Sequence, residues 1–150
     1  MTKQRILLTF GTRPEAIKMA PVVQECQRRS DEVELIVCLT GQHREMLLPL
    51  FEVFEVEPDI DLQLMTKNQT LSSLSARLFE TLGTVFADND FFSVIVQGDT
   101  TTAFVGAVVG HYHQVKVCHV EAGLRTYNKW APFPEECNRK MIASVADLHF

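Results

Sequence analysis

The chain is short of what marks a nucleic-acid, membrane or disulfide-stapled protein. Its 14 Lys and Arg are outnumbered by 19 Asp and Glu, for a formal net charge of −5. The basic residues are scattered, so no cationic stripe exists to neutralise a phosphate backbone or an anionic bilayer. The first apolar stretch, Ile6–Phe10, is interrupted by Thr9 and closed by Arg13, too short for a secretory leader or a membrane span. A cytoplasmic location is the expectation. Cysteine is sparse: Cys26, Cys38, Cys118 and Cys137 lie far apart with no C-x-x-C pair, which argues against a zinc site or a redox dithiol and for reduced thiols. No metal is expected, and no repeat, low-complexity tract or linker breaks the chain.

What is present suits one ordinary domain: 150 residues, 46% hydrophobic and 22% charged, enough apolar side chain to bury a core. Runs of strand length, Ile6–Phe10, Val33–Leu39, Val94–Val96 and Val115–Val120, are apolar at consecutive positions, as strands covered on both faces should be. Asp59–Leu64 alternates more and reads as a weaker strand. Between them Pro14–Arg29, Arg44–Phe54, Leu71–Ala87, Thr100–His111 and Pro134–Val145 carry apolar residues at three- and four-residue spacing. Strand and helix in alternation predict a doubly wound parallel sheet. Asp147–Phe150 reads as the start of a further strand, and truncation of a longer chain is the expectation there.

In such a sheet ligands gather where strands end and helices begin, because helix N-termini offer unpaired N–H groups. The first turn is Gly11-Thr12-Arg13-Pro14-Glu15. Thr12 and Glu15 have the spacing of a capping box, and Pro14 is tolerated in a first helical turn. Arg13 and Lys18 add positive charge to the positive end of the helix dipole, which an anion such as a pyrophosphate would compensate. Two solvated side chains are the alternative. The second turn, Thr40–Glu45, carries His43 at a strand end, where a histidine is most often a structural hydrogen-bonding residue.

The third turn, Gln97–Thr102, places Asp99 after a buried strand, with Thr100 able to cap the next helix; Asp99 is open to a role as a second cap or as a general base. In the fourth, His119–Thr126, Glu121 ends an apolar strand, so burial should raise its pKa and nearby Arg125 should lower it. Glu135 and Glu136 stand where acids in a helix's first turn complement the dipole. Three carboxylates at or just beyond strand ends, facing a cationic turn, form a set able to move protons near an anionic substrate. From the residues alone this reads as an enzyme acting on a phosphorylated or nucleotide-linked compound.

The stretches FGTRPEAIKMAP, TGQHREML, GDTTT, HVEAGLRT and PFPEECNRK, in this order, closely resemble the non-hydrolysing UDP-N-acetylglucosamine 2-epimerases of bacteria. The resemblance spans essentially the whole chain but only the family's N-terminal half. It implies a Rossmann-like domain, half of a glycosyltransferase-B type two-domain fold whose second, UDP-binding domain is absent. The implied reaction is inversion at C2 of UDP-N-acetylglucosamine, without a cofactor, to give UDP-N-acetylmannosamine for surface polysaccharides. The C2 proton has no adjacent carbonyl to acidify it, so the route is departure of UDP with loss of the C2 proton, giving 2-acetamidoglucal, then re-addition after protonation from the other face.

By their places in the motifs, Arg13, Lys18 and Arg125 would bind the substrate or departing UDP. Asp99, Glu121 and Glu135 would supply the acid, base and cation-stabilising roles. Gln42, His43, Arg44 and Glu45 resemble the stretch that touches a second substrate molecule acting as activator. The resemblance also implies a homodimer, and a fragment inactive by itself. A glycosyltransferase of the same architecture and a non-catalytic truncated module are the alternatives; a hydrolysing epimerase is a nearer neighbour, which GTRPEAIK disfavours.

Overall fold

The computed structural model of the protein describes residues 3–41 and 44–150, the side chains of 44–46 excepted. Strands β1 (Gln4–Phe10), β2 (Val33–Leu39), β3 (Ile60–Asp61), β4 (Ser93–Gln97), β5 (Lys116–Val120) and β6 (Leu148–His149) alternate with helices α1 (Arg13–Arg28), α2 (Arg44–Phe54), α3 (Leu71–Ala87), α4 (Thr101–Tyr112) and α5 (Glu135–Val145). The sheet runs β3-β2-β1-β4-β5-β6, every pairing parallel. This is the expected doubly wound, Rossmann-like architecture.

Side chains alternate across a strand, and β1 serves both faces of the sheet. Leu7, with Val94, Val96 and Val117, belongs to the core under α3 and α4. Its neighbour Leu8, with Phe10, Val37 and Leu39, belongs to the core under α1 and α2. That double burial is why the strands are apolar at consecutive positions.

The chain leaves β1 toward β2 and leaves β4 toward β5, in opposite directions across the sheet. The carboxyl ends of β1 and β4 therefore flank the topological switch point, where a doubly wound sheet opens a crevice. Most boundaries move by a residue or two from expectation, and two of these shifts have a local cause. β3 pairs only at Ile60 and Asp61, because Gln63 takes a left-handed φ of 49° and ends the extended run. Thr100 is the N-cap of α4 and lies outside it, its hydroxyl accepting the Ala103 N–H at 3.0 Å.

Candidate active site

The turn after β1 is organised by Glu15. The expected capping box forms, and the Glu15 carboxylate accepts from the amides of Gly11 at 3.1 Å and Thr12 at 2.8 Å. Its other oxygen accepts the Thr100 hydroxyl at 2.8 Å, so this buried carboxylate ties the first turn to the turn after β4. Burial pushes the Glu15 carboxyl up, against the lowering effect of its hydrogen bonds to Thr12, Thr100 and Gly11. α1 starts at Arg13, whose side chain is exposed on this rim. Lys18, the second cation of the turn, reaches across to Glu121, Nζ to Oε2 2.5 Å.

Glu121 stands just beyond β5 with a φ of 62°. A side chain in that left-handed region is held there by its surroundings, and such residues concentrate at functional sites. Here the holding group is Arg139 of α5. It donates to the Glu121 main-chain carbonyl, lies 3.3 Å from the Glu121 carboxylate and 2.6 Å from Oδ2 of Asp99. Lys18, Glu121, Arg139 and Asp99 thus form one continuous ionic network built from four separate elements of the chain.

Burial would raise the Glu121 carboxyl, but the hydrogen bonds and charges of Lys18 and then Arg139 outweigh it, and the group lies below the ordinary carboxylate range. The lowering expected from Arg125 is absent, and the reason is geometric. Arg125 is engaged by Glu136, Nη2 to Oε1 2.6 Å. The other Glu136 oxygen accepts the Thr126 N–H at 2.9 Å. Hydrogen bonding from Arg125, then from Thr126, takes the Glu136 carboxyl down to about 2. Glu136 is therefore a buried partner of Arg125, more than the dipole-complementing acid its position suggested. The Arg125 guanidinium also lies over the Tyr127 ring, 5.3 Å from its centroid.

Asp99 does not cap α4; its carboxylate goes to Arg139, and its carbonyl accepts from Nδ2 of Asn138 at 2.8 Å. Gly98, at φ 71°, supplies the backbone conformation that turns Asp99 onto this rim. Glu135 opens α5, and its Oε2 is buried without a hydrogen-bond partner among the described residues. Gln42 and His43 lie outside the described residues, as do the side chains of Arg44 and Glu45.

The residues that sequence reasoning missed are Arg139, Asn138 and His119. Arg139 and Asn138 sit in PFPEECNRK, and Arg139 falls three residues before Ile142, which is buried in the core. That spacing puts both on the inward face of α5, and a cation on an inward face was the available signal. Among the described residues no helix is long and apolar enough to cross a membrane, and all four cysteines are free.

The sequence model of a family described as UDP-N-acetylglucosamine 2-epimerase matches residues 24–150. A Bacillus subtilis protein named UDP-N-acetylglucosamine 2-epimerase is 48% identical over 150 residues, which is 100% of this chain and 39% of the relative. The crystal structure of a UDP-GlcNAc 2-epimerase from Neisseria meningitidis, bound to UDP-GlcNAc, superimposes with a TM-score of 0.94 at 44% identity, covering 98% of this chain and 39% of that one. MurG of Acinetobacter baumannii superimposes at a TM-score of 0.62 with 12% identity, over 99% of this chain and 40% of its own. That is a likeness of fold alone, of glycosyltransferase-B type. The chain spans about 39% of the length of the curated relatives it matches.

Proposed function

Because the chain belongs to the UDP-N-acetylglucosamine 2-epimerase family, we propose that it is the acid–base half of an enzyme interconverting UDP-N-acetylglucosamine and UDP-N-acetylmannosamine. The observation that carries this reading is the network joining Lys18, Glu121, Arg139 and Asp99 at the carboxyl rim of the sheet. Elimination requires a cation where the diphosphate departs and a carboxylate where the C2 proton is lost, and the network has both within a few ångströms.

In this reading the C1–O bond breaks and its electron pair leaves with UDP, whose charge Arg13 and Lys18 offset. The C2 proton passes to a carboxylate, and its C–H electron pair closes the C1–C2 double bond of 2-acetamidoglucal. Glu121, held ionised by two cations, suits the base. Asp99 and Glu135 share protonation of the opposite face and stabilisation of positive charge at C1. Return of a proton to that face, with addition of the UDP oxygen to C1, completes the inversion without net gain or loss of atoms or electrons. Arg125, fixed by Glu136, serves as a substrate contact at the edge of the site.

The remaining portion of such an enzyme would supply most of the uridine and diphosphate contacts, so the 150-residue chain alone is inactive in this reading. Assembly as a homodimer, and activation by a second UDP-N-acetylglucosamine at Gln42, His43, Arg44 and Glu45, belong to the same proposal.

The test is a chimera in which residues 1–150 replace the matching 39% of the Bacillus subtilis relative. The chimera should form UDP-N-acetylmannosamine from UDP-N-acetylglucosamine, and the isolated chain should not. Asp99→Asn and Glu121→Gln should each lower kcat by on the order of 10²- to 10⁴-fold. An active chimera indifferent to both substitutions refutes the assignment.

A further inference from the structure

His119 lies in β5, two residues before Glu121, fully buried, and the network described above does not include it. Its Nε2 is 2.7 Å from the Gly98 carbonyl oxygen. A carbonyl only accepts, so Nε2 carries the hydrogen. Nδ1 is buried with no partner among the described residues. An apolar residue of the same shape would fill this place without the orphaned Nδ1, but it would leave the Gly98 carbonyl without its donor. What the imidazole adds over such a residue is the Nε2–H.

We propose that His119 is a positioning residue for Asp99, its Nε2–H fixing the peptide plane between Gly98 and Asp99 so that the Asp99 carboxylate meets Arg139. The inference rests on the reading of Asp99 as part of the reacting site. The geometry around that plane supports it. The Gly98 N–H donates to the Val120 carbonyl at 2.9 Å, so β5 holds Gly98 through its amide and, by way of His119, through its carbonyl. Asn138 then holds the Asp99 carbonyl at 2.8 Å. Remove the imidazole donor and the Gly98 carbonyl becomes the unheld point in this run. Rotation of that plane swings Asp99.

The surroundings keep the ring in the form this role needs. Around it stand Arg139 of α5, His149 of β6 and Asp99 of the turn. Burial lowers its pKa, the bond to Gly98 raises it, and Arg139 and His149 lower it further than Asp99 raises it. The neutral Nε2–H tautomer is the resting state, and its donor stays in place across the neutral range.

Three substitutions in the chimera test this: His119→Phe, which keeps a ring and loses the donor, His119→Gln, which returns an N–H near the Nε2 position, and Asp99→Asn as a control. His119→Phe should lower kcat roughly ten- to a hundredfold, the scale of a small misplacement of a reacting group, with KM for UDP-N-acetylglucosamine little changed. His119→Gln should recover most of the loss. A Phe variant with kcat unchanged, or a Gln variant no better than Phe at equal thermal stability, overturns the inference.

A silent unsubstituted chimera, or Asp99→Asn with full activity, refutes the functional reading and leaves positioning to be decided by NMR on the 150-residue chain. There His119→Phe should shift the Gly98 and Asp99 amide resonances and His119→Gln should restore them; unmoved resonances overturn the proposal. If the Phe variant does not fold, the ¹⁵N shifts of the unsubstituted imidazole decide. Protonation at Nε2 supports the role, and protonation at Nδ1 with a bare Nε2 overturns it.

Discussion

Glu15 offers the sharpest test of how the rim is held together. Glu15→Ala removes the acceptor of two amides, Gly11 N–H and Thr12 N–H, and of the Thr12 and Thr100 hydroxyls. The hydroxyls can turn to other acceptors, but the amides cannot. Each buried donor left without a partner costs about 1–3 kcal/mol, and part of the Thr12 amide's loss is recovered from water. The sum is about 2–5 kcal/mol, which for a domain of this size lowers Tm by roughly 4–20 °C.

Glu15→Gln is different, because the amide side chain keeps an oxygen for the Gly11 and Thr12 donors. Thr100 can accept from the new NH₂, since one of its lone pairs is free beyond the bond from Ala103. Burial already penalises the charged form of Glu15, so replacing it with a neutral isostere should cost no more than about 1.5 kcal/mol. The pH dependence has a definite sign. A carboxyl raised in the fold binds more protons folded than unfolded, so its contribution is complete below the ordinary 4.5 and is lost as pH rises through the folded value. The Gln variant, which cannot titrate here, should therefore gain on the parent as pH rises above about 4.5. Thermal unfolding by circular dichroism across that range reads both effects. Equal destabilisation by Gln and Ala would mean that the charge, and not the acceptor geometry, holds the turn, and would refute the reasoning.

The Arg125–Glu136 pair should show the opposite linkage. With the Glu136 carboxyl down to about 2 in the fold against an ordinary 4.5, its stabilisation is present above 4.5 and lost as pH falls toward 2. The Tm advantage of the parent over Glu136→Gln should accordingly shrink across that window in acid titrations. Gly41 takes a φ of 81°, and a Cβ there would stand 2.6 Å from the Gln63 main-chain Cα; Gly41→Ala should destabilise the fold by more than the roughly 1 kcal/mol that an unstrained glycine-to-alanine replacement gains, and so lower the urea midpoint. Cys38, buried, with its thiol pushed up to about 12 chiefly by that burial, should resist iodoacetamide at about pH 8 in the folded chain and react once unfolded, as mass spectrometry of the alkylated peptides would show.

The architecture was legible because each strand is buried on both faces. The runs at Ile6–Phe10 and Val33–Leu39 announced this directly, and Thr12, Glu15 and Thr100 marked the starts of α1 and α4. β4 extends to Ser93 and Gln97, beyond the apolar run, because both polar residues are buried within the sheet. The rim itself was legible as a place: Arg13, Lys18, Asp99 and Glu121 all emerge at strand ends, where a doubly wound sheet must bring them near one another. Their pairing was not. Whether Arg125 or Arg139 meets Glu121 depends on the direction in which α5 crosses, and spacing alone leaves Asp99 open between a cap and a general base until its carboxylate is seen to meet Arg139. Arg139 escaped notice because a cation on an amphipathic helix usually faces water.

The stability of this rim comes from each turn being held by a different one. Glu15, on the β1 turn, holds Thr100 on the β4 turn. β5 holds the peptide of Gly98 through Val120 and His119, and α5 holds Asp99 and Glu121 through Asn138 and Arg139. The left-handed backbone at Glu121 costs about 1–3 kcal/mol, and no contact within its own loop need offset that. Arg139 and Lys18 do so from α5 and α1. The same arrangement decides how the site can respond to a ligand. An anion that draws Lys18 away removes the principal cation lowering the Glu121 carboxyl, leaving Arg139 and the raising effect of burial. A diphosphate bound on this lip would therefore make Glu121 a stronger base, which in the reading proposed above is when a proton must be taken, a coupling that requires no movement of the backbone.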